Sequence, residues 1–160
     1  MTLPADSARW LAAAAALAER ARPLSRPNPG VGALIVRNGV VVGRGWTQAG
    51  GRPHAEARAL DIAGEAARGA ILYVTLEPCV HRSPRGPACA DLVAEAGLAG
   101  VVIGRLDPDE RTAGAGMTRL REAGLNVTCA ALSAAELGLS GHATKLGKAR
   151  PHVTLKLALS

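Results

Sequence analysis

The chain has 160 residues, a formal net charge of +6 and 48% apolar residues, with two tryptophans, one tyrosine and no phenylalanine. That length suits one domain with a real core. So few aromatic rings argue against a base-stacking nucleic-acid surface, and the arginines are scattered rather than clustered, so the positive balance fits solubility or a phosphorylated small substrate.

Residues 6–21 read as a helix, closed by Pro23, Pro27 and Pro29. Its apolar run follows Asp6 rather than a basic segment and continues into Glu19-Arg-Ala-Arg22, so it is an amphipathic helix and not a signal peptide. No stretch approaches the roughly 20 apolar residues of a membrane span. Residues 31–37 and 40–46 are strands joined by Asn38-Gly39, a strong hairpin signal. A helix over 54–63 ends near Gly64, and a strand over 70–76 delivers Cys79 just past its end. A second helix covers 87–96 and stops at Gly97, and a strand follows over 101–104. Asp107-Pro108 opens a loop that runs to about Gly116. Residues 117–123 are a helix, 125–130 a last core strand, and 134–148 a helix interrupted by glycines. A hairpin followed by strands alternating with helices predicts an α/β fold in three layers, a mixed five-stranded sheet between helices. Chemistry at strand ends and helix starts is typical of such layers.

The chemistry-bearing residues come in a particular order: His54-Ala-Glu56, then Pro78-Cys79, then Cys89. Zinc-dependent nucleobase deaminases use H-x-E followed by P-C-x-x-C. Here the gap between the cysteines is nine residues instead of two. A catalytic zinc takes three protein ligands and leaves the fourth position to water, whose pKa falls to roughly 7. His54, Cys79 and Cys89 would be those ligands, and Glu56 the proton shuttle. Residues i and i+2 of a helix point about 200° apart, so His54 and Glu56 converge only if the helix begins at His54. Pro53 supports that start. A thiolate at a helix N-terminus, as at Cys89, is stabilised by the backbone dipole. A structural zinc would need a fourth protein ligand. Cys129 sits in an apolar strand, and His142 and His152 lie far along the chain. With two of three cysteines assigned to zinc, the compartment is reducing and the expected location cytoplasmic.

The chain resembles the deaminase domain of the bifunctional riboflavin-biosynthesis deaminase/reductase. The matching stretches are Pro27-Asn-Pro-Gly-Val-Gly32, Pro53-His-Ala-Glu56, Tyr73-Val-Thr-Leu-Glu-Pro-Cys79-Val-His81, Gly86-Pro-Ala-Cys89, and Asp107-Pro108 with Ala113-Gly-Ala-Gly116. The resemblance implies a cytidine-deaminase-like fold and zinc as cofactor. It implies hydrolytic removal of the 2-amino group of a 5-phosphoribosylamino-pyrimidinone, giving a uracil and ammonia. It also implies that Asn28 hydrogen-bonds the substrate, that His81 reaches the heterocycle or its ribosyl arm, and that Arg85 meets phosphate, with Arg82 the competing choice. Asp107 would line the ribose side or cap its own loop. Neither nucleic acid nor membrane is an expected partner, and a homo-oligomer is expected.

Two departures from the family pattern stand out. The loop from Arg82 to Ala88 is one residue longer than usual. Thr47 stands where many members have a substrate-contacting histidine; a hydroxyl there can hydrogen-bond but carries no charge. Residues 1–147 would be the deaminase domain. Residues 148–160 resemble the first strand of an NADPH-dependent reductase, so the chain is a deaminase-only protein or a piece of a bifunctional one, with a fused or separate reductase as partner. Two alternatives remain. One is a transfer-RNA adenosine, guanine or deoxycytidylate deaminase, which typically spaces its cysteines by two residues. The other is a non-catalytic zinc module, which would have no use for Glu56.

Overall fold

Helix α1 (Ser7–Ala18) forms where apolar residues recur at helical spacing: Trp10, Leu11, Ala14 and Ala18 are buried. A single 3-10 turn, Glu19–Ala21, ends it. The computed structural model describes residues 3–139, apart from 23, 111, 135 and 138.

Strands β1 (Gly32–Arg37) and β2 (Val40–Trp46) pair antiparallel. Their turn is Asn38-Gly39, with φ of 51° and 76°, the two positive angles that a tight hairpin of right-twisted strands requires. The register then steps from Ile35 opposite Gly43 to Val36 opposite Val41, a bulge at Val42. Strand β3 (Ile71–Leu76) pairs antiparallel with β1 and parallel with β4 (Gly100–Arg105), and β5 (Asn126–Cys129) pairs parallel with β4. The five-stranded order is β2-β1-β3-β4-β5. Parallel neighbours need crossover connections, which carry helices α3 (Cys89–Glu95) and α4 (Ala115–Glu122). Helix α2 (Ala55–Ala63) lies between β2 and β3 in the chain.

Alternation along the strands separates two cores. Leu34, Val36, Tyr73 and Val102 pack with Trp10, Leu11 and Ala14 of α1. Ala33, Ile35, Leu72, Val74, Val101 and Ile103 pack with Ala55, Ala59 and Ala63 of α2, Ala90 and Val93 of α3, and Leu120 of α4. The result is the expected three-layer α/β arrangement. Because β1, β3 and β4 are covered on both faces, they read as near-continuous apolar runs.

Helix α2 sits unusually close to β2. A Cβ at Gly43 would lie 2.3 Å from the Ala59 carbonyl oxygen, and one at Gly45 would lie 2.2 Å from that of Ala55. No side chain fits at either position, and this contact sets the height of the helix that carries Glu56.

The expected helix over 134–148 falls mostly outside the described residues. Residues 134, 136 and 137 are in turn, opened by a reciprocal cap: the Ser133 N–H donates to Glu136 Oε2 (2.8 Å), and the Glu136 N–H to Ser133 Oγ (3.2 Å). The tail over 148–160 is also outside them. The 3-10 turns Ala49–Gly51 and Gly64–Ala67 are too short for periodicity to announce. Among the described residues, no helix is long and apolar enough to cross a membrane.

Candidate active site

Helix α2 begins at Ala55, and His54 is its cap: the His54 carbonyl accepts the first helical bond, from Arg58 N–H at 3.2 Å. Pro53 therefore stands one residue before the cap rather than inside the first turn. Cys79 lies three residues past the end of β3, and Cys89 is the first residue of α3. The Cys79 carbonyl accepts the N–H of Ala90 at 3.0 Å, taking an otherwise unpartnered amide of the α3 start and tying the two cysteine segments together.

These segments converge on one point. His54 Nδ1 is 3.2 Å from Cys89 Sγ and 3.6 Å from Cys79 Sγ, and the three donor atoms all lie within 4.8 Å of one another. The other ring nitrogen, Nε2, lies 3.3 Å from Asn28 Nδ2, which also donates to the Gly51 carbonyl at 3.0 Å. With Nδ1 on a metal, Nε2 carries the ring proton and is a donor, so the Asn28 NH2 group lies beside this nitrogen without accepting from it. A soft pair of thiols and one imidazole is the donor set of a zinc site with an open fourth position. The residues present therefore fit zinc.

The electrostatics agree. The hydrogen bond from the Cys89 thiol pulls the Cys79 thiol down to about 3, and the same bond pushes Cys89 up. The pair gives up one proton readily and holds the second, which is the place a cation takes over. The hydrogen bond with Cys79 raises His54, against the opposing effect of burial. Glu56, only 3% exposed, is pushed up to about 7 by burial, partly offset by His54. A carboxyl near 7 both takes and gives protons at neutral pH.

The remaining predicted residues fall into two groups. Asn28, His54, Cys79, Cys89 and Glu56 are brought together as described. Arg85, exposed, donates to the Gly50 carbonyl at 2.9 Å, and Arg52 donates to the Pro87 carbonyl at 3.2 Å, so the inter-cysteine loop is tied to the segment before His54. The longer loop folds back on itself at Ser83 and Gly86, whose backbones exchange bonds of 3.0 and 3.1 Å. Arg82 turns elsewhere. It pairs with Asp91 of α3, which also binds Arg119 of α4. Burial works against the Asp91 charge, but the bonds from Arg82 and Arg119 outweigh it and hold the carboxyl below its usual range. The His81 ring is exposed, with Nε2 3.2 Å from Thr112 Oγ1.

Thr47 and Asp107, expected near the substrate, both make hydrogen bonds within the fold. Thr47 is 2% exposed, and its Oγ1 accepts the Val31 N–H at 3.0 Å. Asp107 Oδ1 accepts the Asp109 N–H at 2.9 Å, capping its own loop. Sequence reasoning missed Thr75, whose buried hydroxyl accepts the Gly32 N–H at 3.1 Å, and Glu77, whose buried carboxylate binds three amides. The one signal was a polar residue on each side of Leu76, Thr75 and Glu77, at the end of an otherwise apolar strand run.

Comparison with known proteins places the chain. Residues 4–105 match the model of the cytidine and deoxycytidylate deaminase zinc-binding region. The riboflavin biosynthesis protein RibD of Escherichia coli is 44% identical over 152 residues, covering 94% of this chain and 41% of that protein. The diaminohydroxyphosphoribosylamino-pyrimidine deaminase of Buchnera aphidicola is 43% identical over 107 residues, covering 67% of this chain and 72% of that one. The solved structure of Acinetobacter baumannii RibD superposes with a TM-score of 0.85 at 36% identity, over 92% of this chain and 42% of that one. The chain thus spans about two fifths of the RibD proteins it matches. It belongs to the cytidine and deoxycytidylate deaminase zinc-binding family, and within that family to the deaminase domain of the RibD proteins.

Proposed function

We propose that the chain performs the zinc-dependent deamination step of riboflavin biosynthesis: hydrolysis of 2,5-diamino-6-(5-phosphoribosylamino)pyrimidin-4(3H)-one to the 5-amino-uracil product and ammonia. The observation that carries this is the convergence of His54 Nδ1 and two cysteine sulfurs beside a buried carboxyl, Glu56, poised near 7. Kinship with proteins named for this pathway and this pyrimidine supports the substrate.

In the proposed reaction, a C–O bond forms at the ring carbon, the C–N bond breaks, and one water is consumed for each ammonia released. Zinc held by His54, Cys79 and Cys89 would supply a Lewis acid and an acidified water. Glu56 accepts the water proton, passes it to a ring nitrogen and later protonates the leaving amine. Asn28, anchored by its bond to the Gly51 carbonyl, presents its remaining amide atom to the heterocycle. Arg85 exchanges its bond with the Gly50 carbonyl for the substrate phosphate, a stronger charge-assisted contact. Arg82 is the weaker phosphate candidate, because Asp91 already occupies it. Thr47 and Asp107 act behind the site rather than on the substrate.

In the cell we place this activity in the cytoplasm, in a homo-oligomer, with an NADPH-dependent reductase, fused or separate, consuming the product. Ammonia release by the zinc-loaded chain, compared across the diaminopyrimidine, deoxycytidylate, guanine and transfer-RNA adenosine, tests the substrate. Turnover of the first alone is expected. Faster turnover of another substrate would move the chain to that class.

A further inference from the structure

Glu77 sits between the end of β3 and Pro78-Cys79, and its side chain is buried. Oε2 accepts the N–H of Asp107 at 3.1 Å and of Gly114 at 3.0 Å, and Oε1 accepts that of Met117 at 2.9 Å. Gly114 caps α4 without a side chain to offer, so Glu77 takes an orphan amide of the first turn from outside the helix. The helix start is also seated on the Cys79 segment: a Cβ at Gly116 would come within 2.1 Å of the Pro78 carbonyl oxygen. One buried carboxylate thereby ties Asp107, Gly114 and Met117 to the backbone that delivers Cys79.

That loop carries Thr112, which is 3% exposed and whose Oγ1 meets His81 Nε2 at 3.2 Å. We propose that Thr112, on the loop clamped by Glu77, is a positioning residue that sets the His81 ring for the substrate. The inference rests on the pyrimidine-deaminase reading. A hydroxyl turns to donate or accept as the ring requires, so Thr112 pins Nε2 and leaves Nδ1 for the heterocycle or its ribosyl arm. The Thr112 end of this contact is buried, so the hydrogen bond restrains the exposed imidazole at the other end. The benefit is a lower ordering cost on binding.

The test is steady-state kinetics on the zinc-loaded full chain, with zinc content measured for each variant. Thr112→Val keeps the shape of the side chain and removes its hydrogen bond. It is expected to raise KM about fivefold, the worth of one such bond, with kcat within about twofold. Thr112→Ser should restore the wild-type KM, and Thr112→Val should add nothing in a His81→Ala background. Glu77→Gln, which turns an amide NH2 toward backbone N–H donors, should reproduce the KM rise if it folds, and the threonine variants decide the matter if it does not. The proposal is overturned by a wild-type KM in Thr112→Val, by an equal rise in the His81→Ala background, or by a His81→Ala enzyme with unchanged KM. In those cases the deaminase reading stands. Failure of the wild type to turn over the diaminopyrimidine overturns both.

Discussion

Adding one methyl group at Gly45 should disable the enzyme from outside the active site. The Gly45 backbone runs so close to α2 that a Cβ would lie 2.2 Å from the Ala55 carbonyl oxygen, 2.8 Å from the Ala59 nitrogen and 2.9 Å from Arg58 Cβ. Two of these neighbours are backbone, so no rotamer change relieves the clash. To regain ordinary contact, the start of α2 must retreat by about 1 Å, taking His54 and Glu56 with it. Overpacking of this kind costs about 1–3 kcal/mol, which a domain with ~5–15 kcal/mol of stability survives. A misplacement of about 1 Å at a catalytic group costs roughly a hundredfold in rate. Gly45→Ala is therefore expected to give a folded protein whose kcat is down about a hundredfold. Circular dichroism and a thermal melt would check folding, zinc analysis would check the metal, and ammonia release would give the rate. A folded, zinc-loaded Gly45→Ala with kcat within about twofold of wild type would refute the account of how α2 is held.

Thr47→Val should behave as a structural change. It leaves the buried Val31 N–H without its acceptor, so urea unfolding should show a loss of about 1–3 kcal/mol while KM stays near wild type; a large KM rise at unchanged stability would return Thr47 to the substrate. Glu56→Gln should alter the pH dependence of stability in the zinc-free protein. Burial raises the Glu56 carboxyl from 4.5 to about 7, so the folded state holds its proton more tightly than the unfolded one. The stabilisation is complete below the unfolded value and is lost as pH rises through the folded one. Wild type should thus lose about 3 kcal/mol relative to Glu56→Gln between pH 4.5 and 8, and parallel curves would contradict it.

Most of the architecture was legible because each element carried its own local signal. Asn38-Gly39 announced the hairpin, and the order of β-branched runs and helices announced the sheet. The metal ligands were legible for a related reason, since strand ends and helix starts are marked by prolines at 53, 78 and 87. What stayed hidden depends on contacts between distant segments. Nothing local distinguishes Gly43 and Gly45 from ordinary strand-weakening glycines until α2 is seen against them. Thr47 reads as a substrate contact by its position before His54, and its bond to the Val31 N–H, 16 residues away, comes into view only in the folded chain. Arg82 and Arg85 are alike in sequence, and Asp91 separates them. Glu77 looked like one more letter of a motif until its three amides came into view, from a loop some 30 to 40 residues on.

The most direct test of the central claim is ammonia release from the diaminopyrimidinone ribosyl phosphate by zinc-loaded wild type and zinc-loaded Glu56→Gln. The account predicts turnover by the wild type and a loss of at least about a hundredfold in the variant, with one zinc bound in each. Equal turnover by the two would remove Glu56 from the proton path, and an inert, zinc-loaded wild type would contradict the proposed reaction.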